Sequence, residues 1–385
     1  MTVKRSAEAT EATAQPSGRD KALTKALLAG AGGVGTLVTG FVFWRAWRRR
    51  GWRAESEAAS EPWRTWQQGG ATRRLLQAAI LAPSVYNSQP WRFGVGVDRI
   101  AFVADLDRHV GSLDAFRRQM HLSLGCALEN LVLAARANAL STSITLPPGI
   151  LWQTPPGPPT DASAIVQLSP ALDVEASLYD AIPLRHTHRG AYRLDEEIPE
   201  DVLNGMQALV PATASLRLLL FTRAAKRALA DLIVASTEAI AHDEQMAADS
   251  ARWSRLDSRR RRTSARALRR WVRDTRDVHV KTAPLLGIIA VREPYDRPTT
   301  IQAGRLWQRL HLWLTTQGLA AQPLNQPVQR VDRERELETA RETADALARI
   351  AGSADWHPTL IFRAGYADDV PGLTPRRAVE TTIIR

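Results

Sequence analysis

Apolar residues fall into two rhythms along this chain, and the rhythm changes mark its elements. Leu75, Leu76, Ala79 and Ile80 recur at helical spacing and predict a helix over Arg73–Leu81. Short apolar runs predict strands at Phe93–Val97 and Ile100–Ala104, and a long one-sided apolar stripe predicts a helix over Arg117–Asn138. Strands at Ser143–Leu146 and Ile165–Leu168 flank a Pro/Gly-rich turn at Pro147–Pro159. Beyond them come a helix-like run at Leu178–Leu184, a helix at Glu200–Leu209 and a strand at Leu216–Phe221. Helical patterns follow at Ala224–Ala241 and Arg252–Asp274, then a strand at Leu285–Val291 and a helix at Ile301–Gln317. A strand at Pro358–Phe362 and a tail from Thr374 close the chain. The class is α+β.

The order of elements is similar in the two halves. The helix at Arg117–Ala139 has a counterpart at Ile301–Leu319, each apolar on one face and ending in a small-residue turn. This predicts a diverged internal duplication, with one unit over 63–178 and a second over 179–385. In the second unit, residues 242–277 form a charged insertion carrying Trp253 and Trp271.

The amino-terminal part follows neither rhythm. Residues 1–21 are polar and predict a disordered tail. Within 22–44, Ala26–Trp44 carries no charge. Such a run makes a helix of roughly 28 Å, enough to cross a hydrocarbon core. Phe41, Phe43, Trp44 and Trp47 gather at one end, where aromatic rings favour the interface, and a basic linker occupies 45–62. The arginines directly after the span favour an uncleaved anchor over a signal peptide. Their excess over Arg19, Lys21 and Lys25 places the large carboxy-terminal part in the cytoplasm. A single-pass membrane protein is expected, touching membrane lipids through this helix.

Charge and cysteine content narrow the chemistry. Of the net +11, much lies beside this span (Arg45, Arg48, Arg49, Arg50, Arg53) and in the run Arg259–Arg262 with Arg266, Arg269 and Arg270. No zinc-finger, RNP or basic-zipper pattern accompanies it, so no nucleic-acid partner is expected. The single cysteine, Cys126, excludes intrachain disulfides, and the eight histidines show no metal-ligand spacing, so no metal site is expected.

Four segments carry chemistry. The first is Ala82–Phe93 (APSVYNSQPWRF), where Pro83 and Pro90 stiffen a loop presenting Ser84, Asn87, Ser88 and Gln89. The second is Arg185-His186-Thr187-His188-Arg189, two guanidinium groups around a hydroxyl, a composition suited to phosphate. The third is Gly318–Gln326 (GLAAQPLNQ), directly after a long helix. The fourth is Leu373–Arg377 (LTPRR) near the end.

Together these segments resemble the nitroreductase family, and most closely its Acg-like branch of fused tandem units. The loop matches Ala-Pro-Ser-x-x-Asn-x-Gln-Pro-Trp, with Val85 where a second serine is frequent. The turn matches Arg-x-Ser-x-Arg/Lys, with Thr187 keeping the hydroxyl. The third segment matches Gly-x-x-x-x-Pro-x-Glu-Gly, with Asn325 and Gln326 replacing the acidic residue and the glycine. The resemblance implies a nitroreductase-like fold in which two units form an intrachain pseudo-dimer, with FMN as cofactor and NAD(P)H as reductant. It implies FMN contacts from Pro83, Ser84, Asn87 and Gln89 in the loop. Arg185 and Thr187 would hold the phosphate, and Arg189 would reach the flavin pyrimidine edge. Pro323, Leu324, Asn325 and Gln326 would line one flavin face, and Arg376 and Arg377 would close over the phosphate.

Since the loop lies in the first half and the other segments in the second, one chain carries a complete site. Neither Trp63–Arg74 nor Val210–Leu216 supplies the reciprocal motifs, so one FMN per chain is expected. The implied activity is hydride transfer from NAD(P)H through FMN to a small nitroaromatic or quinone acceptor. The alternative is a flavin-sequestering protein whose insertion acts as a lid. No general acid or base stands out, although His186 and His188 are candidates.

Overall fold

Two antiparallel sheets of identical strand order organise the chain. The computed structural model describes residues 60–151, 161–212, 215–254 and 265–384. The expected tail, the anchor and almost all of the linker lie outside the described residues. Among the described residues no helix is long and apolar enough to cross a membrane.

The first sheet holds β1 (Trp91–Val95), β2 (Arg99–Ala104), β3 (Leu140–Thr145) and β4 (Ala164–Pro170) in the order β1-β2-β4-β3. The second holds β5 (Leu216–Thr222), β6 (Leu285–Val291), β7 (Ala320–Pro323) and β8 (His357–Gly365) in the order β5-β6-β8-β7. In β1, Trp91 and Phe93 point inward while Arg92 faces out, the alternation of a half-covered strand. Strand β6 is buried at every residue, as its unbroken LLGIIAV run requires.

After a helical stretch at 60–65 come α1 (Ala71–Ile80), α2 (Arg118–Ala137), α3 (Glu200–Ala208), α4 (Arg227–His242), α5 (Glu244–Ser254), α6 (Ala265–Asp274), α7 (Arg297–Thr316), α8 (Gln326–Glu336) and α9 (Glu342–Ala351). Helix α7 starts four residues earlier than expected. Asp296 caps it by accepting from the Thr299 amide at 2.8 Å, and proline stands at the first turn. The helix expected over Arg252–Asp274 is instead the end of α5 and the whole of α6, with 255–264 outside the described residues. Strand β7 and helices α8 and α9 were not expected.

Helices α2 and α7, 20 residues each, cross at the centre of the core. Gly125 and Gly304 meet there: a Cβ on Gly125 would lie 2.2 Å from the Ile301 carbonyl oxygen, and one on Gly304 2.1 Å from that of Leu122. The Cys126 thiol donates to the Gly304 carbonyl at 3.3 Å, and burial pushes it up to about 12, leaving it inert. Below the crossing, Glu129 is fully buried between Arg305 (2.7 Å) and Arg309 (2.5 Å), and Gln308 donates to Asn130 at 2.6 Å.

Two further contacts join the halves. Arg118 forms a buried ion pair with Asp332 of α8, which also accepts from the Tyr295 hydroxyl at 2.9 Å. The chain end lies along β1: Phe93 and Ile383 form a parallel bridge, the Phe93 amide donates to Thr382 at 2.8 Å, and the Ile384 amide returns to Phe93 at 2.8 Å. The second half therefore closes the edge of the first sheet.

A methyl group at position 304 has no room, because the neighbour is backbone. Gly304→Ala is expected to destabilise the protein by about 1–3 kcal/mol. Denaturant unfolding of the variant beside the parent, with unchanged m-value, measures it.

Candidate functional site

The Ala82–Pro90 loop leaves α1 in a conformation few side chains adopt. Tyr86, Asn87 and Gln89 have φ of 48°, 53° and 51°. Left-handed backbone at a bulky residue costs of the order of 1–2 kcal/mol. The surroundings offset that cost. Ser84 Oγ accepts from the Gln89 amide at 2.9 Å, Ser123 of α2 accepts from the Val85 amide at 3.1 Å, and Arg108 donates to the Ser88 carbonyl at 2.7 Å. Pro83 stays at the loop entrance, half-buried.

The carboxy-terminal tail completes the loop. Asn87 Nδ2 donates to the Pro375 carbonyl at 3.0 Å, while Arg376 donates to Asn87 Oδ1 at 2.9 Å. Gln89 Oε1 accepts from the Arg377 amide at 2.7 Å. Two segments nearly 300 residues apart, the first and fourth named above, thus meet directly.

Arg185 joins them from a third direction. Its amide closes a turn on the Ala181 carbonyl at 2.9 Å, and its guanidinium is buried. Arg185 Nη2 and Arg376 Nη2 both donate to the Leu81 carbonyl at 3.3 Å, so the two cations lie side by side. Among the described residues no carboxylate pairs with either, and Arg185 Nε and Nη1 and Arg376 Nε have no hydrogen-bond partner. Burial lowers the Arg185 guanidinium to about 10. Burial and then the charge of Arg185 hold Arg376 well below its usual value.

Trp63 covers this pair. The Arg376 guanidinium stacks 4.6 Å from its ring, His186 lies 4.7 Å from it on a tilted plane, and its indole donates to the Thr374 carbonyl at 2.7 Å. His186 is pushed down to about 4 by burial, Arg185 and Arg376. His311 of α7, buried beside Arg185, is held well below its usual value by burial and that charge. Both rings are neutral at pH 7. Two guanidinium cations, with two neutral imidazoles beside them, therefore share a place where no carboxylate pairs with them among the described residues, a strong arrangement for a dianion.

The remaining expected residues divide. Thr187 is half-buried and bridges Ala321 at the edge of β7, with the His188 amide donating to Ala321 at 3.2 Å. Arg189 is exposed and lies near Tyr86, whose phenol burial pushes up while Ser250, Gln329 and the Arg189 charge oppose the shift. Arg377 turns away to Asp105 at 3.1 Å, so Arg376 alone of the pair faces Arg185. His188 has no free nitrogen: Nε2 meets Asp369 at 2.9 Å and Nδ1 accepts from the Gly190 amide at 3.2 Å. Its role is to hold the turn.

Pro323 ends β7, half-buried, and Leu324 packs its side chain into the core while its amide donates to Ile361 at 2.8 Å. Asn325 clamps β8, accepting from the Ile361 amide at 3.0 Å and donating to Thr359 at 3.3 Å. Gln326 opens α8 with an unpartnered, buried Oε1. This segment can offer only backbone and Gln326 to a ligand. Trp63, Tyr86 and His311 stand in the site without having been singled out. Trp63 and Tyr86 had a signal, since one opens the globular region and the other sits inside the loop motif; His311 is hidden in a helical apolar stripe.

No family model matches the chain. It is similar to the "Putative NAD(P)H nitroreductase" of two Mycobacterium tuberculosis strains, CDC 1551 / Oshkosh and H37Rv, at 26% identity over 344 residues, 81% of this chain and 90% of theirs. Among solved structures it is similar to the FMN-dependent nitroreductase NfnB from Mycobacterium smegmatis in complex with NADPH, at 17% identity over 51% of this chain and 94% of that one, TM-score 0.36. A nitroreductase with bound FMN from Bacteroides fragilis shares 16% identity over 52% and 93%, TM-score 0.35.

Burial is the largest cause of the His186 depression, and an anion placed between Arg185 and Arg376 offsets the part that comes from their charges. Inorganic phosphate is therefore expected to raise the His186 pKa from about 4 toward the ordinary value of 6.5, read by NMR titration of the imidazole. In Arg376→Ala the free value is expected to rise and the response to phosphate to shrink.

Proposed function

We propose that this chain is an FMN-dependent NAD(P)H oxidoreductase of nitroreductase type, with one FMN per chain and a nitroaromatic or quinone as electron acceptor. The observation that carries the reading is the buried, unneutralised pair Arg185 and Arg376, whose orphaned N–H groups fit a phosphate dianion. The name of the Mycobacterium tuberculosis relatives supplies the direction of the chemistry.

Bound FMN would supply hydride acceptance from a nicotinamide and its delivery to a second substrate. The chain's own residues bind and orient. Arg185 and Arg376 would hold the phosphate, with Thr187 as a hydroxyl donor on the same turn. Ser84 and Asn87 fix the loop's own conformation, and Gln89 fixes the tail that carries Arg376. Arg189 would bring an exposed positive charge to the pyrimidine edge, where negative charge develops on reduction. Pro323 and Asn325 hold the entry to α8, whose first backbone N–H groups would be the donors offered there. With a quinone, the net change is NAD(P)H plus quinone plus a proton giving NAD(P)⁺ and hydroquinone. His186, neutral and covered by Trp63, is not the proton source, and solvent supplies it.

A second reading has its own observation. Trp253 and Trp271 of α5 and α6 in the insertion pack, like Val85 and Tyr86 of the loop, against one apolar cluster of Val110, Leu113, Ile240 and Met246. A cover of this kind suits a protein that retains flavin without fast turnover. Stopped-flow mixing separates the two: bleaching of bound FMN by NADPH within seconds supports the enzyme, and a stable oxidised spectrum supports sequestration. Arg185→Ala is expected to weaken FMN retention by roughly 1.5–3 kcal/mol, the worth of a hydrogen bond to a charged group. Retention equal to the parent, or a ratio near two flavins per chain, would overturn the assignment.

The same reading extends to the whole chain. The repeated strand order supports two fused units, and the uncharged run Ala26–Trp44 supports a single-pass anchor with the catalytic part on the cytoplasmic side. The full chain is expected in the membrane pellet after alkaline carbonate washing, and a chain starting at residue 60 in the supernatant. Release of both by the wash would contradict the anchor.

A further inference from the structure

Tyr86 is the one large side chain of the loop that neither the phosphate pair nor the tail uses. Its backbone is left-handed, with φ of 48°, although nothing in the loop's own hydrogen bonding requires an aromatic residue there. The conformation throws the ring away from Arg185 and toward the insertion. There it lies with Trp253 and Trp271 beside Val110, Leu113, Ile240 and Met246. Tyr86, Trp253 and Trp271 are each only partly buried. The phenol hydrogen-bonds with Ser250 of α5 and Gln329 of α8, and the exposed Arg189 adds a positive charge near the hydroxyl and its proton. Burial pushes the phenol up, so that proton stays in place at working pH.

We propose that Tyr86 determines which electron acceptor the site takes. The inference rests on the function proposed above and deepens it. The partly exposed rings of Tyr86, Trp253 and Trp271 offer faces to a flat, electron-poor aromatic, since offset stacking of such rings is favourable. The phenolic O–H and Arg189 then meet its polarised oxygen, a quinone carbonyl or a nitro oxygen. The insertion limits the length of acceptor, and Tyr86 is the residue through which it does so, because its phenol joins the loop to α5. No covalent step is assigned to it.

The test uses the full chain with two acceptors, 1,4-benzoquinone and 2-methyl-1,4-naphthoquinone, and three variants. Tyr86→Ala removes the ring and is expected to raise the kcat/KM ratio of the larger over the smaller quinone about tenfold. Tyr86→Phe keeps the ring and loses the donor, so kcat/KM for both is expected to fall about tenfold, the effect of one hydrogen bond. Ser250→Ala, which touches only the insertion side, is expected to move the ratio in the same direction as Tyr86→Ala by at least twofold, and it carries the test if Tyr86→Ala does not fold. A readout independent of the flavin is amide hydrogen exchange over 244–254 in the FMN-free chain, expected to quicken in Tyr86→Phe and Ser250→Ala. FMN bound with unchanged selectivity overturns the role of Tyr86 alone, as does unchanged exchange. A parent chain that takes up no FMN overturns the proposed function and this inference with it.

Discussion

The contact on which the rest of the molecule depends is the crossing of α2 and α7 at Gly125 and Gly304. Two backbones that approach until a Cβ would strike a carbonyl oxygen admit one relative placement and no sliding. Each sheet packs on its own member of that pair, so the crossing fixes sheet against sheet. It also fixes the site. Ser123, two residues before Gly125, holds the loop amide of Val85, and His311, seven residues after Gly304, lies against Arg185. The loop and the cationic turn are thus each anchored within two helical turns of the same contact. Their separation is inherited from it.

Against that rigid frame the electrostatics are deliberately unsettled. Glu129 and Asp332 are buried and fully paired with arginines. Arg185 and Arg376 are as deeply buried and face one another instead. Desolvating two like charges costs several kcal/mol, and carbonyl oxygens and the Trp63 ring offset only part of that. The fold therefore holds a defect in its charge pairing at one place. A purely structural role would call for a carboxylate there, as at Glu129 and Asp332, where arginines meet one; among the described residues none pairs with Arg185 or Arg376.

Much of the architecture was legible in the hydrophobic pattern because most of it is buried apolar surface. The runs at Leu285–Val291 and Arg117–Asn138 appear almost residue for residue as β6 and α2. Helix α8 was not legible, and the reason is physical. Four of its six buried residues are Gln326, Gln329, Asp332 and Glu334, with only Pro327 and Val328 apolar, so its apolar period is weak. Those side chains are buried because their partners are supplied by distant parts of the chain, Arg118 for Asp332 and Thr343 for Glu334. A pattern of hydropathy carries no information on such pairs. The site divides in the same way. Residues set by backbone chemistry, the loop with its prolines and the Arg185 turn, stand together as their motifs suggested. Side-chain roles set by tertiary neighbours differ: Arg377 is taken by Asp105, Leu324 by the core and Asn325 by β8. Trp63 and His311 enter the site through packing alone.

The asymmetry between the two halves follows from what each sheet edge and each connection carries. The sheets share one strand order, yet the β1–β2 connection is a tight turn whereas the β5–β6 connection holds α4, α5 and α6. The β3–β4 connection carries no helix among the described residues, whereas the β7–β8 connection holds α8 and α9. All the additional helices therefore belong to the second sheet. Two of them, α5 and α8, reach back to the loop of the first, through Ser250 and Gln329 on Tyr86. The chain end crosses in the same direction, pairing with Phe93 and delivering Arg376 on the way. Elements of the second half from three directions thus converge on the Ala82–Pro90 loop. A symmetric pair of sheets would make equivalent contacts in both directions; elements added to one half and directed at the other gather those contacts at one loop.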